Sequence, residues 1–419
     1  MLSNYLKIAF KVFLRRKFFT FVNLFGISFT LATLVAAAIL LDYFIGVHPP
    51  EVNKDRTLKV GWVSMARADD LNYSSHAGPS LRFLNRHVRT LESPDKVCVY
   101  SSRNSTVAAY VGDEKVELSL KHVDGAYWEV LRFEFVEGRP FTVQEDAEGE
   151  SVAVIGTKTR QRLFGTESPL GKTLEADGQR WRVVGVVEEV AWVQSNAHAD
   201  VWVPVGTVGA EVRDNPSLYG GFEALLLARN QADIPRIKEE YQIVMAGVEP
   251  SAPRFGVVYS AADTPFEEVA RKSSDWRSFR EGYHQGRLVL LWGGLALLFM
   301  TLPAVNMVNL NLSRILERAS EIGVRKAFGA PSRSLVAQFL VENVLLTLTG
   351  GLLGFGLSYL VVQTLAQEFE YFQFPWGIGM RVFAIGLGAT LVFGLISGGY
   401  PAWRMSRLHP AEALRGGER

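Results

Sequence analysis

Lys172 closes a glycine-flanked stretch, Gly165-Thr-Glu-Ser-Pro-Leu-Gly171-Lys172-Thr173, built from the residue types of a phosphate-binding loop. In such a loop backbone N–H groups cradle phosphate oxygens and the lysine reaches the terminal phosphates. The nucleotide motif has four residues between its glycines, whereas five stand here. No long apolar strand precedes the stretch, so it is expected to be a surface turn, and no ATPase domain is expected in this chain. The seven histidines (48, 76, 87, 122, 198, 284, 409) are scattered, with no pair at His-x-x-x-His spacing, and no Gly-x-Ser-x-Gly nucleophile turn occurs. Neither a metal site nor a catalytic one is expected, and the chain does not read as an enzyme.

Charge of both signs is interleaved along Arg314-Ile-Leu-Glu317-Arg318-Ala-Ser-Glu321-Ile-Gly323-Val-Arg325-Lys326-Ala-Phe-Gly329-Ala-Pro331. On a helix, Arg314, Glu317, Arg318, Glu321 and Arg325 share one face, and Ile315, Ala319 and Ile322 another. Glu321 four residues before Arg325 is a favourable helical pair. Gly329 followed by Pro331 is a helix stop. A short amphipathic helix that docks on a partner fits this pattern, and so does an ordinary interfacial loop.

The elements around this segment are set by hydropathy. The 48% of apolar residues are concentrated in four uncharged runs: Phe18–Leu41, Leu288–Leu312, Asn343–Gln367 and Val382–Trp403. At about 1.5 Å per helical residue each run can cross a hydrocarbon core of roughly 30 Å. Lys and Arg crowd three regions: Lys7 to Lys17, Arg314 to Arg333, and the tail from Arg404 to Arg419. Residues 368–380 carry neither. Basic residues stay on the cytoplasmic side, so both termini and the 313–332 loop are expected there, and the long insertion after the first run outside.

The expected organisation is an integral membrane α-helical protein with four transmembrane helices and a large α+β extracytoplasmic domain inserted between helices one and two. Residues 1–17 form an amphipathic helix on the inner surface, 18–44 helix one, 45–285 the exterior domain and 286–312 helix two. The cytoplasmic segment is 313–332, helix three 333–367, a short exterior loop 368–380, helix four 381–402 and the tail 403–419. Small residues recur at helical spacing, at Gly350, Gly354 and Ser358 in helix three and at Gly386, Thr390, Gly394 and Gly398 in helix four. Such stripes let backbones approach in lipid. The formal net charge of +1 hides an acidic insertion, since residues 42–286 hold 28 Lys and Arg against 36 Asp and Glu. Cys98 is the single cysteine, so the exterior domain folds without an intrachain disulfide.

Within the insertion, Leu58–Met65, Val97–Ser101, Val152–Ile155, Val183–Val187, Phe222–Ala228 and Arg254–Ser260 read as strands. Pro79–Leu91, Tyr127–Phe133, Lys158–Phe164, Ile234–Ala246 and Pro265–Phe279 read as helices. Hairpins are expected to turn at Gly112-Asp113 and Asp177-Gly178.

Glu317–Ala330, ERASEIGVRKAFGA, resembles the coupling helix of the MacB/FtsX-type ABC permeases, with its Glu-Ile-Gly-x-Arg-x-Ala-x-Gly-Ala core. The tail Gly399-Tyr-Pro401-Ala402-Trp-Arg404 through Arg415 is similar to that family's C-terminal signature. Gln338–Glu342 resembles the start of its third helix, and Gly125–Thr142 with Val152–Val187 its exterior domain. The resemblance implies a permease subunit without catalytic residues, in which Arg314, Glu317, Arg318, Glu321, Gly323, Arg325, Lys326 and Gly329 meet a cytoplasmic ABC ATPase. ATP and Mg would be bound by that separate chain and no cofactor by this one. It also implies a second permease copy or paralogue, a possible periplasmic adaptor, surrounding lipid and no nucleic acid, in a bacterial cytoplasmic membrane. Export of a substrate from the periplasm or outer leaflet is the leading reading. The alternatives are a non-transporting mechanotransmission regulator, for example of a cell-wall hydrolase, and an ATP-independent membrane receptor.

Overall fold

Nothing in the first apolar run interrupts a helix, and a helix is what it forms. A computed structural model describes residues 17–272 except 72, 112, 113 and 193, residues 332–368, and scattered positions within 286–301 and 380–395. The chain divides into two units, Met1–Asp42 with Gly286–Arg419, and Tyr43–Gln285. Helix α1 (Lys17–Ile45) leads from the first to the second.

The 43–285 unit is α+β. In chain order it comprises β1 (Thr57–Val60), β2 (Val63–Ala66), β3 (Ser74–Ala77), α2 (Leu81–Phe83, running into a π turn at Leu84–Val88), β4 (Lys96–Ser101), β5 (Ser105–Val111), β6 (Glu114–Val123) and α3 (Tyr127–Val130). There follow β7 (Phe135–Gly138), α4 (Val143–Ala147), β8 (Val152–Gly156), α5 (Thr157–Phe164), β9 (Thr173–Ala176), β10 (Gln179–Val187) and β11 (Val201–Pro204). The unit ends with α6 (Ala210–Arg213), β12 (Phe222–Leu227), α7 (Ile234–Ala246), β13 (Val257–Tyr259) and α8 (Pro265–Lys272).

Ten strands form one sheet in the order β1-β12-β4-β6-β11-β8-β10-β9-β5, with β7 on β10. Strand β5 pairs both β9 and β6, which closes β6, β11, β8, β10, β9 and β5 into a ring. Apolar side chains of these strands, among them Leu118, Leu120, Ile155, Trp181, Val183 and Val201, make one core. A second is aromatic: Trp128 meets Phe133, Phe135 and Phe141 edge-on at 5.1–5.5 Å between ring centroids, the arrangement favoured by ring quadrupoles. Trp202 closes that cluster, its Nε1 donating to the Ala197 carbonyl at 3.0 Å. A third core packs β1 and β12 against α2 and α7 through Leu58, Leu226, Phe83, Ile237 and Tyr241.

Several elements differ from expectation for local reasons. Leu58–Met65 is not one strand: β1 joins the large sheet and β2 a separate three-stranded sheet with β3 and β13, and Gly61-Trp62 lies at the break. The helix expected at Pro79 starts after Ser80, whose hydroxyl caps the Phe83 N–H at 3.2 Å. Helix α3 stops at Val130 and not Phe133. Asp177 and Gly178 have φ of 47° and 73°, both left-handed, as a two-residue hairpin turn between β9 and β10 requires. Gly112-Asp113 lies outside the described residues, although Val111 pairs Glu114 across it.

In the other unit, helix α9 (Ser332–Glu368) has 37 residues. Thr20–Ala37 of α1 and Leu340–Thr364 of α9 are long and apolar enough to cross a membrane. The second and fourth apolar runs are described only at scattered positions, and the amphipathic segment 1–16 lies outside the described residues.

Candidate functional site

Where α1 meets α9, small residues replace bulky ones at each turn. A Cβ at Gly350 would lie 2.9 Å from Ile27 Cβ, and one at Gly354 would lie 3.1 Å from Leu31 Cβ and from the Ser28 carbonyl oxygen. Ser28 Oγ reaches the Gly350 carbonyl oxygen at 2.9 Å. Ser358, one turn further, is buried, and its hydroxyl donates back to the Gly354 carbonyl at 2.6 Å. Gly386 comes to the same place, since a Cβ there would lie 3.0 Å from Leu31 Cδ2. The contact therefore brings together three of the residues singled out for packing, Gly350, Gly354 and Gly386. Gly394 and Gly398 lie outside the described residues. On the other side of α1, Phe21, Phe25 and Phe29 are exposed and stack at 6.0 and 5.7 Å. Glu342 is buried on α9.

The segment expected to face an ATPase, with Arg314, Glu317, Arg318, Glu321, Gly323, Arg325, Lys326 and Gly329, lies outside the described residues. The glycine-flanked loop at Lys172 is described. It follows the C-terminus of α5 and leads into β9, whereas a phosphate loop precedes a helix N-terminus. Lys172 is taken by Glu167 and lies 5.8 Å from the Phe164 ring.

A buried polar knot in the 43–285 unit was not anticipated from sequence. Lys59 on β1 is 7% exposed, and its three N–H bonds find three acceptors: Glu223 Oε2 at 2.7 Å, Glu268 Oε1 at 2.9 Å and Asn196 Oδ1 at 2.9 Å. Burial alone would lower the lysine, but the two carboxylates override it and raise it above the usual range. Burial would likewise raise Glu268, and the charges of Lys59 and Lys272 bring it down instead to about 2. The Tyr100 hydroxyl lies 3.0 Å from Asn196 Oδ1 and 2.9 Å from Glu223 Oε2; with one proton it donates to one at a time. Asn196 Nδ2 donates to Glu51 Oε1 at 2.9 Å. Lys121 on β6 donates to the Ser195 and Asn196 carbonyls at 2.6 and 3.2 Å. Burial, with Lys59 adding to it and Glu223 opposing, lowers that amine to about 7.

A cleft of about 1150 Å³ opens beside the knot, walled in part by Lys59, Trp62, Glu223, Asp263, Glu268 and Arg271. Among its charged walls, Lys59 pairs with Glu223 and Glu268, and Arg271 holds Asp263 through two 2.8 Å hydrogen bonds. No group of three or more His, Cys, Asp or Glu side chains suited to a metal occurs among the described residues. The available signal for the knot was a lone lysine inside each of two apolar strands, Leu58-Lys59-Val60 and Leu120-Lys121.

Residues 20–243 match the MacB-like periplasmic core domain family, and residues 293–410 match the FtsX-like permease C-terminal family. The chain is 26% identical over 368 residues to the uncharacterized ABC transporter permease YknZ of Bacillus subtilis, covering 84% of this chain and 83% of that one. It is 30% identical over 301 residues to the uncharacterized ABC transporter permease YvrN of the same organism, covering 70% and 69%. To the macrolide export ATP-binding/permease protein MacB of Bdellovibrio bacteriovorus it is 29% identical over 293 residues. That match spans 66% of this chain but only 41% of the relative's length.

Proposed function

The chain belongs to the MacB/FtsX-like ABC permease family, and from that premise we propose that it is the transmembrane subunit of an ABC-type exporter driven by a separate cytoplasmic ATPase. The observation that carries the reading is that both family segments occur in one chain in order, 20–243 and 293–410. The chain is a permease with an extracellular α+β domain, a class of subunit that generally carries no catalytic group of its own.

The finer reading has four membrane helices, with the apolar runs at 288–312 and 382–403 adding two spans to α1 and α9. Both termini and the 313–332 segment face the cytoplasm, where that segment meets the ATPase. ATP and Mg act in the ATPase, and two permease chains, identical or paralogous, complete the complex. Closure of the ATPase moves the exterior domain, and the substrate is taken from the periplasm or outer leaflet. The α1–α9 contact supports this reading, because a rigid helix pair is needed to carry a displacement.

The test is co-expression of the tagged chain with the ABC ATPase from its own genome. The expected result is co-purification and an ATPase rate that rises when the permease is present. Purification of the chain alone under mild detergent, with no ATPase retained and no effect on the rate, overturns the proposal.

A further inference from the structure

The two segments through which the 43–285 unit joins the rest of the chain converge on Lys59. The incoming segment is anchored by Glu51, whose Oε1 accepts from Asn196 Nδ2 at 2.9 Å. Gln194 Nε2 donates to the Pro49 carbonyl at 2.9 Å, and the Arg132 N–H to that of Pro50 at 3.0 Å. Asn196 then accepts from Lys59 Nζ through its Oδ1. The outgoing helix α8 is held by the same ammonium through Glu268. Asp263, just ahead of α8, exchanges two backbone hydrogen bonds with Lys59, at 2.7 and 2.9 Å. Its carboxylate also takes Arg271 of α8 and the Trp62 indole N–H.

A continuous polar path, Glu51–Asn196–Lys59–Glu268, thus joins the incoming segment to the outgoing helix inside one unit. Apolar contacts would hold the two segments together equally well, but they are not directional and let packed surfaces slide. Charge-assisted hydrogen bonds fix angle as well as distance. All three protons of Lys59 are used, so its head group has no second arrangement of equal quality nearby.

We infer that this path is a mechanical link which makes the incoming segment and α8 move as one body, with Lys59 and Asn196 as positioning residues for coupling. A displacement arriving along either connection is then delivered to β1 and through it to the ten-stranded sheet. Without the link, each connection is a separate hinge that absorbs the displacement. The inference deepens the proposed function, and the part of it that concerns ATP rests on that reading.

The test uses the full chain in lipid nanodiscs with spin labels at Val47 and Phe266, which are 47% and 37% exposed. Cys98 is fully buried and takes no label. The unaltered link should give a single narrow distance peak. Glu268→Ala leaves Lys59 paired with Glu223, and Asn196→Ala leaves both carboxylates on Lys59, so neither strands a buried charge. Each should lose the narrow peak while the domain stays folded, with a thermal midpoint nearly unchanged in Asn196→Ala and lowered in Glu268→Ala by the loss of its two ion pairs. Arg67→Ala, at a surface ion pair, should keep the peak. If Glu268→Ala fails to fold, Glu268→Gln with Asn196→Ala decides the matter. Narrow peaks in both link variants overturn the inference. With the partner ATPase added, the same variants should retain association, while the permease-dependent part of the hydrolysis rate falls about fivefold or more. A broadened distance with that rate unchanged also overturns the mechanical role. If no ATPase associates with any form, the proposed function fails, and the distance measurement alone still decides whether the link exists.

Discussion

The Ser28 hydroxyl on α1 lies 2.9 Å from the Gly350 carbonyl oxygen on α9 and 2.6 Å from the Leu24 carbonyl of its own helix. One proton serves two acceptors, so the hydroxyl is shared between closing its own helix turn and bridging to the other helix. Such a bridge is possible only because position 350 has no side chain, with Ile27 already 2.9 Å from where a Cβ would stand.

Gly354→Leu should therefore separate α1 from α9. A Leu must displace Leu31 and the Ser28 backbone, at a cost of about 1–3 kcal/mol for overpacking. Val361→Leu, on the same helix but only half-buried, should cost much less. Denaturation in mixed micelles, monitored by a crosslink between α1 and α9, would compare them. Equal effects would mean that the small residues are incidental.

Glu268 predicts an acid limb. Its folded-state value of about 2 lies below the ordinary 4.5. The folded protein holds the ionised form more strongly, so the stabilisation is complete above 4.5 and is lost as pH falls toward 2. The difference is on the order of 3 kcal/mol. Glu268→Gln should flatten the stability profile between pH 4.5 and 2, as read from urea midpoints. A profile parallel to that of the parent protein would exclude Glu268 as its source.

Lys121 predicts a second rise of stability with pH, in the alkaline range. Its folded value of about 7 lies below the ordinary 10.5, so between these values the unfolded chain binds more protons and stability rises with pH. Lys121→Met should abolish that rise. At pH 6 the removed charge penalty outweighs the Ser195 carbonyl left without its donor, since the Asn196 carbonyl keeps the Tyr127 hydroxyl at 3.0 Å. A net gain of about 1 kcal/mol or more is expected. Chemical denaturation at pH 6 and 9 gives both numbers, and a variant that keeps the parent slope contradicts the assignment.

Lys172→Ala should be nearly silent. The lysine is 40% exposed and paired to an exposed Glu167, a kind of contact worth about 0–1 kcal/mol. ATP hydrolysis by the assembled complex should not change. A loss of activity would point to a phosphate contact that the helix-to-strand geometry of the loop argues against.

Coupling is tested at the charged segment by Glu321→Arg combined with Arg325→Glu. The exchange retains a helical pair, in the less favourable orientation, while inverting the face offered to a partner. Like charges brought together in a partly dry interface cost up to several kcal/mol. Expression and exterior-domain folding should survive, and ATPase association or permease-dependent hydrolysis should be lost. Normal binding and normal stimulation would mean that the segment is only a connector.

Local chemistry made some elements legible and topology concealed others. The β9–β10 hairpin follows from Asp177-Gly178 alone, because few other dipeptides accept two left-handed residues. Ile234–Ala246 was readable to the residue because Pro235 sits in its first turn and Gly247 just past its end. Strand β11, Val201–Pro204, was missed because four residues buried without alternation carry no period. Gly350 and Gly354 could be picked from spacing, but that they face Ile27 and Leu31 depends on how two distant helices rotate. Lys59 stood out as a charge between Leu58 and Val60, yet its acceptors lie 137 to 209 positions away, and no local pattern encodes that.

The closing of β5 onto β9, through Ala109 and Ala176, bears on how the extracellular domain survives in company. A strand edge left open is a template on which another chain can add itself, and long flat edges seed aggregates. In the ring, β5, β6, β8, β9, β10 and β11 have neighbours on both sides. The strands left at sheet margins, β1, β3, β7 and β13, are three or four residues long, too short to hold a stranger in register. A domain with one buried cysteine and no cross-link is thus defended against self-association by geometry. Opening the ring, for instance with Ala109→Pro, should turn a soluble domain into an adhesive one before it unfolds.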